Sequence, residues 1–408
     1  MSIHIARDGE PVDYNLLKSA GYFEALNNNR DLRYRQFSDE AVYAFVGFIV
    51  SETGDTLIVF PKHFGCQNII DDAASLFRVI TRHPQLHPDK YIGEISNHFD
   101  SNYPFAAFLS VFNYYKKYGL YRETENQVSL NSSGRIDWKR TIQQSRKFPI
   151  EETVVFSPIK YRSTRITSTL ITECMAFVIA YTLSHFGFFF GAEYSGIEPT
   201  NNLLENREYI LGKLFEERNR SFLDSKISLI DSLISFFSNT CTGGPYYLKH
   251  YSFEKIWESA ALSYLCDHFV GIDGGRLQFS DDPVAASRFT KAKFCLNLAN
   301  PDQTMEPDYY LLNDGVQCIF DAKYYSAVED IDYKQLVYTI LLNHLINPAT
   351  GEEYHPNTCS ALILPSEERS SKLHFELDSR KVNFDQAIEI YEERLVARDV
   401  LRYYSSTL

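Results

Sequence analysis

Cysteine is scarce and unpatterned in this chain. The seven cysteines are odd in number, scattered and free of CxxC spacing, which argues against a disulfide framework or a thiolate zinc site and fits a reducing cytoplasm. No GxSxG, HExxH or glycine-rich dinucleotide motif occurs, which disfavours serine hydrolase, zincin and Rossmann readings. A GxxxxGK[ST] phosphate loop is also missing, so any nucleotide-driven motor must be another chain. No basic, apolar leader opens the sequence. The most apolar stretch, Cys174 to Gly191, is interrupted by Thr182, Ser184 and His185 and reads as a buried helix, with no membrane partner expected. Neither a 20–50-residue repeat nor a low-complexity tract is found.

An excess of basic residues is lacking as well. The formal charge is −13, whereas a protein that binds DNA unaided usually carries a basic balance or a concentrated basic face. Either the local cluster of Arg135, Lys139, Arg140, Arg146, Lys147, Lys160, Arg162 and Arg165 meets nucleic acid or a partner, or it is a solvated face and a partner supplies the DNA affinity.

What is present is a 408-residue chain, 44% hydrophobic and 23% charged, long enough for two or three domains with a substantial core. Residues 1–150 read as a β-rich amino-terminal domain. Its clearest signal is two apolar runs, Val42 to Val50 and Thr56 to Phe60, joined by Ser51-Glu52-Thr53-Gly54-Asp55 and ended by Pro61, a hairpin pattern. The periodicity turns helical between Asp71 and Tyr118, and Asn131 to Gly134 mark a turn. Residues 151–245 read as a helical scaffold, with apolar positions at three- and four-residue intervals over Thr169 to Phe190 and Ser225 to Phe237. Thr240 to Pro245 form the boundary, because Gly-Gly-Pro interrupts regular structure. Residues 246–408 predict a helix over Phe253 to Phe269, strands at Asp308 to Leu312 and Val316 to Ala322, a helix at Asp332 to Leu345, a strand at Ala361 to Leu364 and a terminal helix over Phe384 to Tyr404. That order describes an α/β core with a mixed sheet.

Glu306-Pro307-Asp308 precedes the first strand of that core, and the second strand, after a turn at Asn313-Asp314-Gly315, ends in Asp321-Ala322-Lys323. Side chains alternate along a strand, so Asp321 and Lys323 share a face beside the Ala322 carbonyl. The hairpin brings Asp308 to the same place. Two carboxylates and a carbonyl make a hard-oxygen site suited to Mg²⁺, with Mn²⁺ able to substitute. A lysine beside such a site can orient water or stabilise phosphate charge, as phosphodiester hydrolysis requires. Glu254 and Glu258 lie four residues apart on one face of the preceding helix and offer a further acid. Taken alone, an Asp-x-Lys at a strand end is most often a surface ion pair; joined to the Pro-Asp and the acidic helix it points to chemistry.

This arrangement resembles the PD-(D/E)xK nuclease superfamily, in which a helix glutamate, a Pro-Asp and an acidic-x-Lys surround one or two Mg²⁺ ions. Tyr324-Tyr325 and Asp332 to Tyr338 look like the segment after the catalytic strand in McrC and LlaJI-type restriction nucleases, which makes Gln335 the match to a glutamine lining the site. Val46-Gly47-Phe48 with Leu57 to Lys62 resembles the McrC amino-terminal strand pair ending in Pro-Lys, and Gly134 to Ile142 is similar to a second family segment. These pieces keep the family's order over most of the chain. McrC-like chains carry Phe-Glu at the helix, which favours Glu254; the LlaJI-type pattern also carries Trp-Glu, which favours Glu258, and the choice stays open. The resemblance implies catalytic roles for Asp308, Asp321, Lys323, Glu254 or Glu258, and Gln335, with metal held by the acids and the Ala322 carbonyl. It further implies double-stranded DNA as substrate and a separate McrB-like AAA+ GTPase as partner, the amino-terminal domain serving for docking. Two other readings are a free-standing homodimeric type II endonuclease and a non-enzymatic factor that stimulates a partner GTPase.

Overall fold

The computed structural model describes residues 2–408 except 28, 36–39, 92–97, 131–134, 191–201, 241–242, 275, 285–286, 314, 329, 347–350, 352, 354–355 and 385–386. The turn expected at Asn131 to Gly134, Cys241 and Thr242 of the expected boundary, and Asp314 of the expected hairpin turn lie outside the described residues. The chain forms two units, one made of residues 1–103, 188–191 and 243–408, the other of residues 104–187 and 192–242. The architecture is mixed α/β, with helices and several sheets.

The first unit holds two five-stranded sheets. In one, the order is Ile3–Arg7, Thr56–Phe60, Val46–Val50, Tyr246–His250 and Phe99–Ser101. Val46–Val50 and Thr56–Phe60 are buried at every position and pair antiparallel as the hairpin pattern predicts. β-Branched and aromatic side chains suit a strand packed on both faces. Gly54 makes the intervening turn at a φ of +84°, a conformation open to glycine at little cost. Tyr246–His250 enters between Val46–Val50 and Phe99–Ser101, so a strand nearly 200 residues downstream is an interior strand of the amino-terminal sheet.

The second sheet runs Tyr309–Asn313, Val316–Ala322, Asn357–Ser366, Glu389–Val396 and Ser370–Glu376. The inner pairs are parallel and the edges antiparallel, which is the expected mixed sheet. Helix Phe253–His268 is tied to it by the Trp257 indole, which donates to the Ile363 carbonyl at 3.2 Å. Helix Tyr333–Asn343 starts at Asp332, whose carboxylate accepts the Gln335 backbone N–H at 2.8 Å, an N-cap arrangement.

The segment expected as a terminal helix from Phe384 to Tyr404 is instead strand Glu389–Val396 followed by helix Ala397–Thr407. Neighbours on both sides supply ladder hydrogen bonds. The fully buried Glu392 meets Lys372, His374 and Arg394 at 2.9–3.0 Å, and Glu393 meets Arg369 at 2.7 Å. Charges in a segment expected as a helix are thus paired inside a sheet.

The second unit packs helices Phe105–Tyr118, Leu170–Phe186, Arg207–Arg220 and Asp224–Asn239 against one another. The apolar Leu170–Phe186 buries Ile171, Cys174, Met175, Phe177, Val178 and Ile179 there, as a core helix does. Residues 153–157 and 160–167, inside the stretch expected to be helical, are strands. Glu123–Leu130, Lys160–Thr167 and Arg135–Ile136 make a three-stranded sheet, beside the hairpin of Arg146–Ile150 with Thr153–Ser157. Much of the basic cluster lies on these strands; Arg162 pairs with the buried Asp137 at 3.1 Å, while Arg135, Arg146, Lys147 and Arg165 are exposed.

Candidate active site

Strand Val316–Ala322 is parallel to Asn357–Ser366, and the Lys323 N–H continues that pairing to the Ile363 carbonyl at 3.0 Å. Asp321, Ala322 and Lys323 therefore emerge at the carboxyl end of a parallel pair, where open α/β sheets leave a crevice. Antiparallel pairing with Tyr309–Asn313 sets Tyr309 opposite Phe320. Asp308 follows one step on, and its carboxylate accepts the Ala322 N–H at 2.9 Å. Hairpin register alone brings the two aspartates together.

A cavity of about 440 Å³ is lined by Asp308, Asp321, Ala322, Lys323, Glu254 and Lys334, together with Asp8, Lys62, His250 and Tyr324. Asp321 is only 2% exposed, and its carboxylate contacts Lys323 Nζ at 2.8 Å and Lys334 Nζ at 3.1 Å. Lys323 also reaches Asp332 at 2.6 Å. Burial pulls the Lys323 ammonium down, but hydrogen bonds and charge from Asp321 and Asp332 outweigh it and hold its pKa above the usual lysine range. Lys334 is raised in the same way, with Asp321 and Asp308 overcoming burial. Asp308 is pushed up to about 6, first by burial and then by the neighbouring Asp321 charge, against the Ala322 N–H that favours its ionised form. Asp332 falls below the usual range, because hydrogen bonds from Lys323 and the Gln335 N–H overcome burial.

The two glutamates stand apart. Glu254 lines the cavity, with burial raising its carboxyl. Glu258 lies beyond the lining, held by Lys90 at 3.1 Å and Lys291 at 3.4 Å. Lys291 also reaches Asp308 at 3.8 Å, so one ammonium bridges Glu258 and Asp308. Gln335 does not line the cavity. It is fully buried, its amide N–H₂ donating to the Ile319 carbonyl at 2.6 Å and to Ser360 Oγ at 2.7 Å, while its Oε1 has no partner.

Among the described residues, no three His, Cys, Asp or Glu side chains form a ready metal cluster. The acids nonetheless suit a hard divalent cation: Asp308 and Asp321 are close enough for one charge to raise the other's pKa, and Ala322 belongs to the same lining. Sequence reasoning gave no site role to Asp8, Lys291 or Lys334, nor to Lys62, which it named only as the end of the Pro-Lys strand pair. Asp8 and Lys62 come from the amino-terminal sheet, and only tertiary structure places them here. Lys334 had a local signal, since the first turn of the helix after the Asp-x-Lys strand faces the strand end.

No curated protein matches the sequence. Two solved structures from Thermococcus gammatolerans are similar to it. One, described as a refined half-complex from a tetradecameric assembly of McrB AAA+ hexamers with bound McrC, is 11% identical over 100% of both chains with a TM-score of 0.37. The other, a cryo-EM structure of the McrBC complex, is 11% identical over 63% of this chain and 85% of that chain with a TM-score of 0.26. The family profile of the LlaJI restriction endonuclease matches residues 45–391, a span that takes in the strand pair ending at Pro61, the acidic helix and the Asp308, Asp321 and Lys323 hairpin, and the chain belongs to that family.

Proposed function

We propose that this chain is the DNA-cutting subunit of a two-component restriction system, with a PD-(D/E)xK core as its cleavage site. The observation that carries the reading is the convergence of Asp308, Asp321 and Lys323 on one cavity, with the Asp321 carboxylate 2.8 Å from the Lys323 ammonium. Asp308, Asp321 and the Ala322 carbonyl would hold Mg²⁺, or Mn²⁺ in its place, with Glu254 or Glu258 as a further acid. When bound, such an ion supplies Lewis-acid stabilisation of phosphate charge and acidifies water.

The chain's own groups do the rest. The Lys323 ammonium, gripped by Asp321 and Asp332, would orient the attacking water or stabilise the negative charge that develops on the phosphate. Asp332 anchors that ammonium from the helix N-cap, so its position is set before substrate arrives, the arrangement that makes electrostatic stabilisation effective. Lys334, half exposed on the same helix, offers a second cation for the charge that builds during hydrolysis.

The partner we assign is an McrB-like AAA+ GTPase. Support comes from the order of McrC-like segments along the chain and from the missing phosphate loop, which leaves nucleotide hydrolysis to another subunit. Double-stranded DNA is the substrate, and the cytoplasm is where such a pair would act.

In a reaction containing the partner, GTP, Mg²⁺ and duplex DNA, Asp321→Asn and Lys323→Ala should each slow cutting by at least about 10²-fold, with a folded chain and partner GTPase stimulation retained. Full-rate cutting by both variants would refute the reading. Cutting at defined positions by the chain and Mg²⁺ alone would favour a free-standing endonuclease, and GTPase stimulation without cleavage by the wild-type pair would favour an assembly factor.

A further inference from the structure

The cleavage cavity has one wall that does not come from the carboxy-terminal sheet. Strand Thr56–Phe60 of the amino-terminal sheet ends at Pro61, and the next residue, Lys62, enters the lining beside Asp321, Lys323 and Glu254. Its backbone is pinned: the Lys62 N–H donates to the Tyr324 hydroxyl at 3.0 Å, and that hydroxyl hydrogen-bonds to Asp8. Tyr324 is the residue after Lys323, is buried, and packs its ring against Phe253, next to Glu254. One tyrosine thus joins the Asp-x-Lys strand, the acidic helix and the amino-terminal sheet.

The Lys62 ammonium is held loosely by contrast. Its side chain is 18% exposed and lies over the Tyr324 ring. An ammonium has three donors, yet its protein partners are the Tyr324 carbonyl at 3.4 Å and Asp8 at 4.0 Å, the latter beyond hydrogen-bond reach. Compare the structural lysine of the same sheet: Lys249 is 1% exposed and closed off by Asp31 at 2.6 Å and by the Ala25 carbonyl. Lys323 is likewise gripped at 2.6 and 2.8 Å. Lys62 combines a fixed backbone with unused donors facing a cavity, the design of an anion contact.

We propose that Lys62 binds a DNA phosphate at the cleavage site, so that the amino-terminal sheet supplies part of the active site and is not solely a docking element. The inference rests on the cleavage reading above. Asp8 and Tyr324 are its positioning residues, and the ligand class is a backbone phosphodiester.

The test uses the full chain with its partner, GTP and Mg²⁺, keeps protein below saturation so that the rate follows DNA binding, and measures single-turnover cutting of duplex DNA across a salt series, with partner GTPase stimulation and thermal unfolding followed in parallel. Lys62→Gln and Lys62→Met should each lower the cutting rate about 10-fold near physiological salt, and flatten the log rate against log salt slope by about 1, the signature of one lost phosphate contact. Lys62→Arg should keep both rate and slope near wild type, and GTPase stimulation should be unchanged in all three. Tyr324→Phe, which keeps the ammonium but removes its anchor, should slow cutting without flattening the slope. Wild-type rate and slope in Lys62→Gln, or a slowed rate with an unaltered slope in Lys62→Gln and Lys62→Met, would overturn the proposal. Asp321→Asn and Lys323→Ala serve as the controls: if they are inert while Lys62→Gln is normal, only the role of Lys62 falls, and if both cut at full rate the cleavage reading itself falls.

Discussion

Gln335 is fully buried under the strand that ends in Asp321, and both donors of its amide are used, on the Ile319 carbonyl and on Ser360 Oγ. Removing an amide so placed leaves buried partners unsatisfied, at a cost of about 1–3 kcal/mol. Gln335→Leu should therefore lower the unfolding free energy by that amount, and the folded fraction should cut DNA far faster than Asp321→Asn does. Denaturant titration and single-turnover cleavage on the same preparation check this; a dead but fully stable Gln335→Leu would return the residue to the catalytic set through its free Oε1. The residues of the hairpin were legible in sequence because one local rule, strand alternation, puts Asp321 and Lys323 on one face. The lysines that crowd them were harder to see, since lysine is common: Lys334 had only its place in the first turn of the following helix to mark it, and nothing about Lys291 distinguishes it from a solvated surface residue.

Among the secondary-structure elements, strand Val46–Val50 depends on a single glycine. At Gly47 the backbone has a φ of +156°, and an added Cβ would lie 1.9 Å from the Leu248 carbonyl oxygen of the paired strand. Glycine inside a strand often marks such a close backbone approach. The obstacle is main chain and cannot rotate away, so Gly47→Ala should destabilise the first unit by more than about 3 kcal/mol, read as a lowered melting temperature or as insoluble expression. An unchanged melting temperature would show that the two strands can separate without penalty. Elements with strong local patterns were readable: the Val46–Phe60 hairpin and the helix at Phe253 follow from periodicity and turn chemistry. Glu389–Val396 was not, because its charges suit a helix surface until Lys372, His374, Arg394 and Arg369 close around them.

Across the first unit as a whole, a buried polar chain links elements distant in sequence. His83 contacts the Tyr91 hydroxyl at 2.8 Å and Ser259 Oγ at 2.9 Å, and Tyr91 contacts His250 at 3.0 Å. Burial pushes both histidines down to about 3, far below the value of about 6.5 expected in the unfolded chain. Between those limits the unfolded state binds protons that the folded state does not. Stability is thus complete above about pH 6.5 and falls as pH drops toward 3, by about 1.4 kcal/mol per pH unit for each histidine. Asp308 works in the opposite sense between about pH 4 and 6, since its raised pKa favours proton uptake by the folded state. Denaturation at pH 7.5, 6 and 5 should show a net loss on acidification that is shallower in His83→Gln; a stability that stays flat or rises would contradict the buried neutral pair. The amino-acid sequence by itself determined the hairpin carrying Asp308, Asp321 and Lys323, the acidic helix and the family, because these rest on alternation, helical spacing and motif order within short stretches. Only the tertiary structure decided that Tyr246–His250 joins the amino-terminal sheet, that Glu254 lines the cavity while Glu258 is held by lysines, and that Asp8 and Lys62 reach the same site. Those outcomes depend on contacts between residues far apart in the chain, such as Lys90 with Glu258 and Lys62 with Tyr324, and no local pattern encodes them.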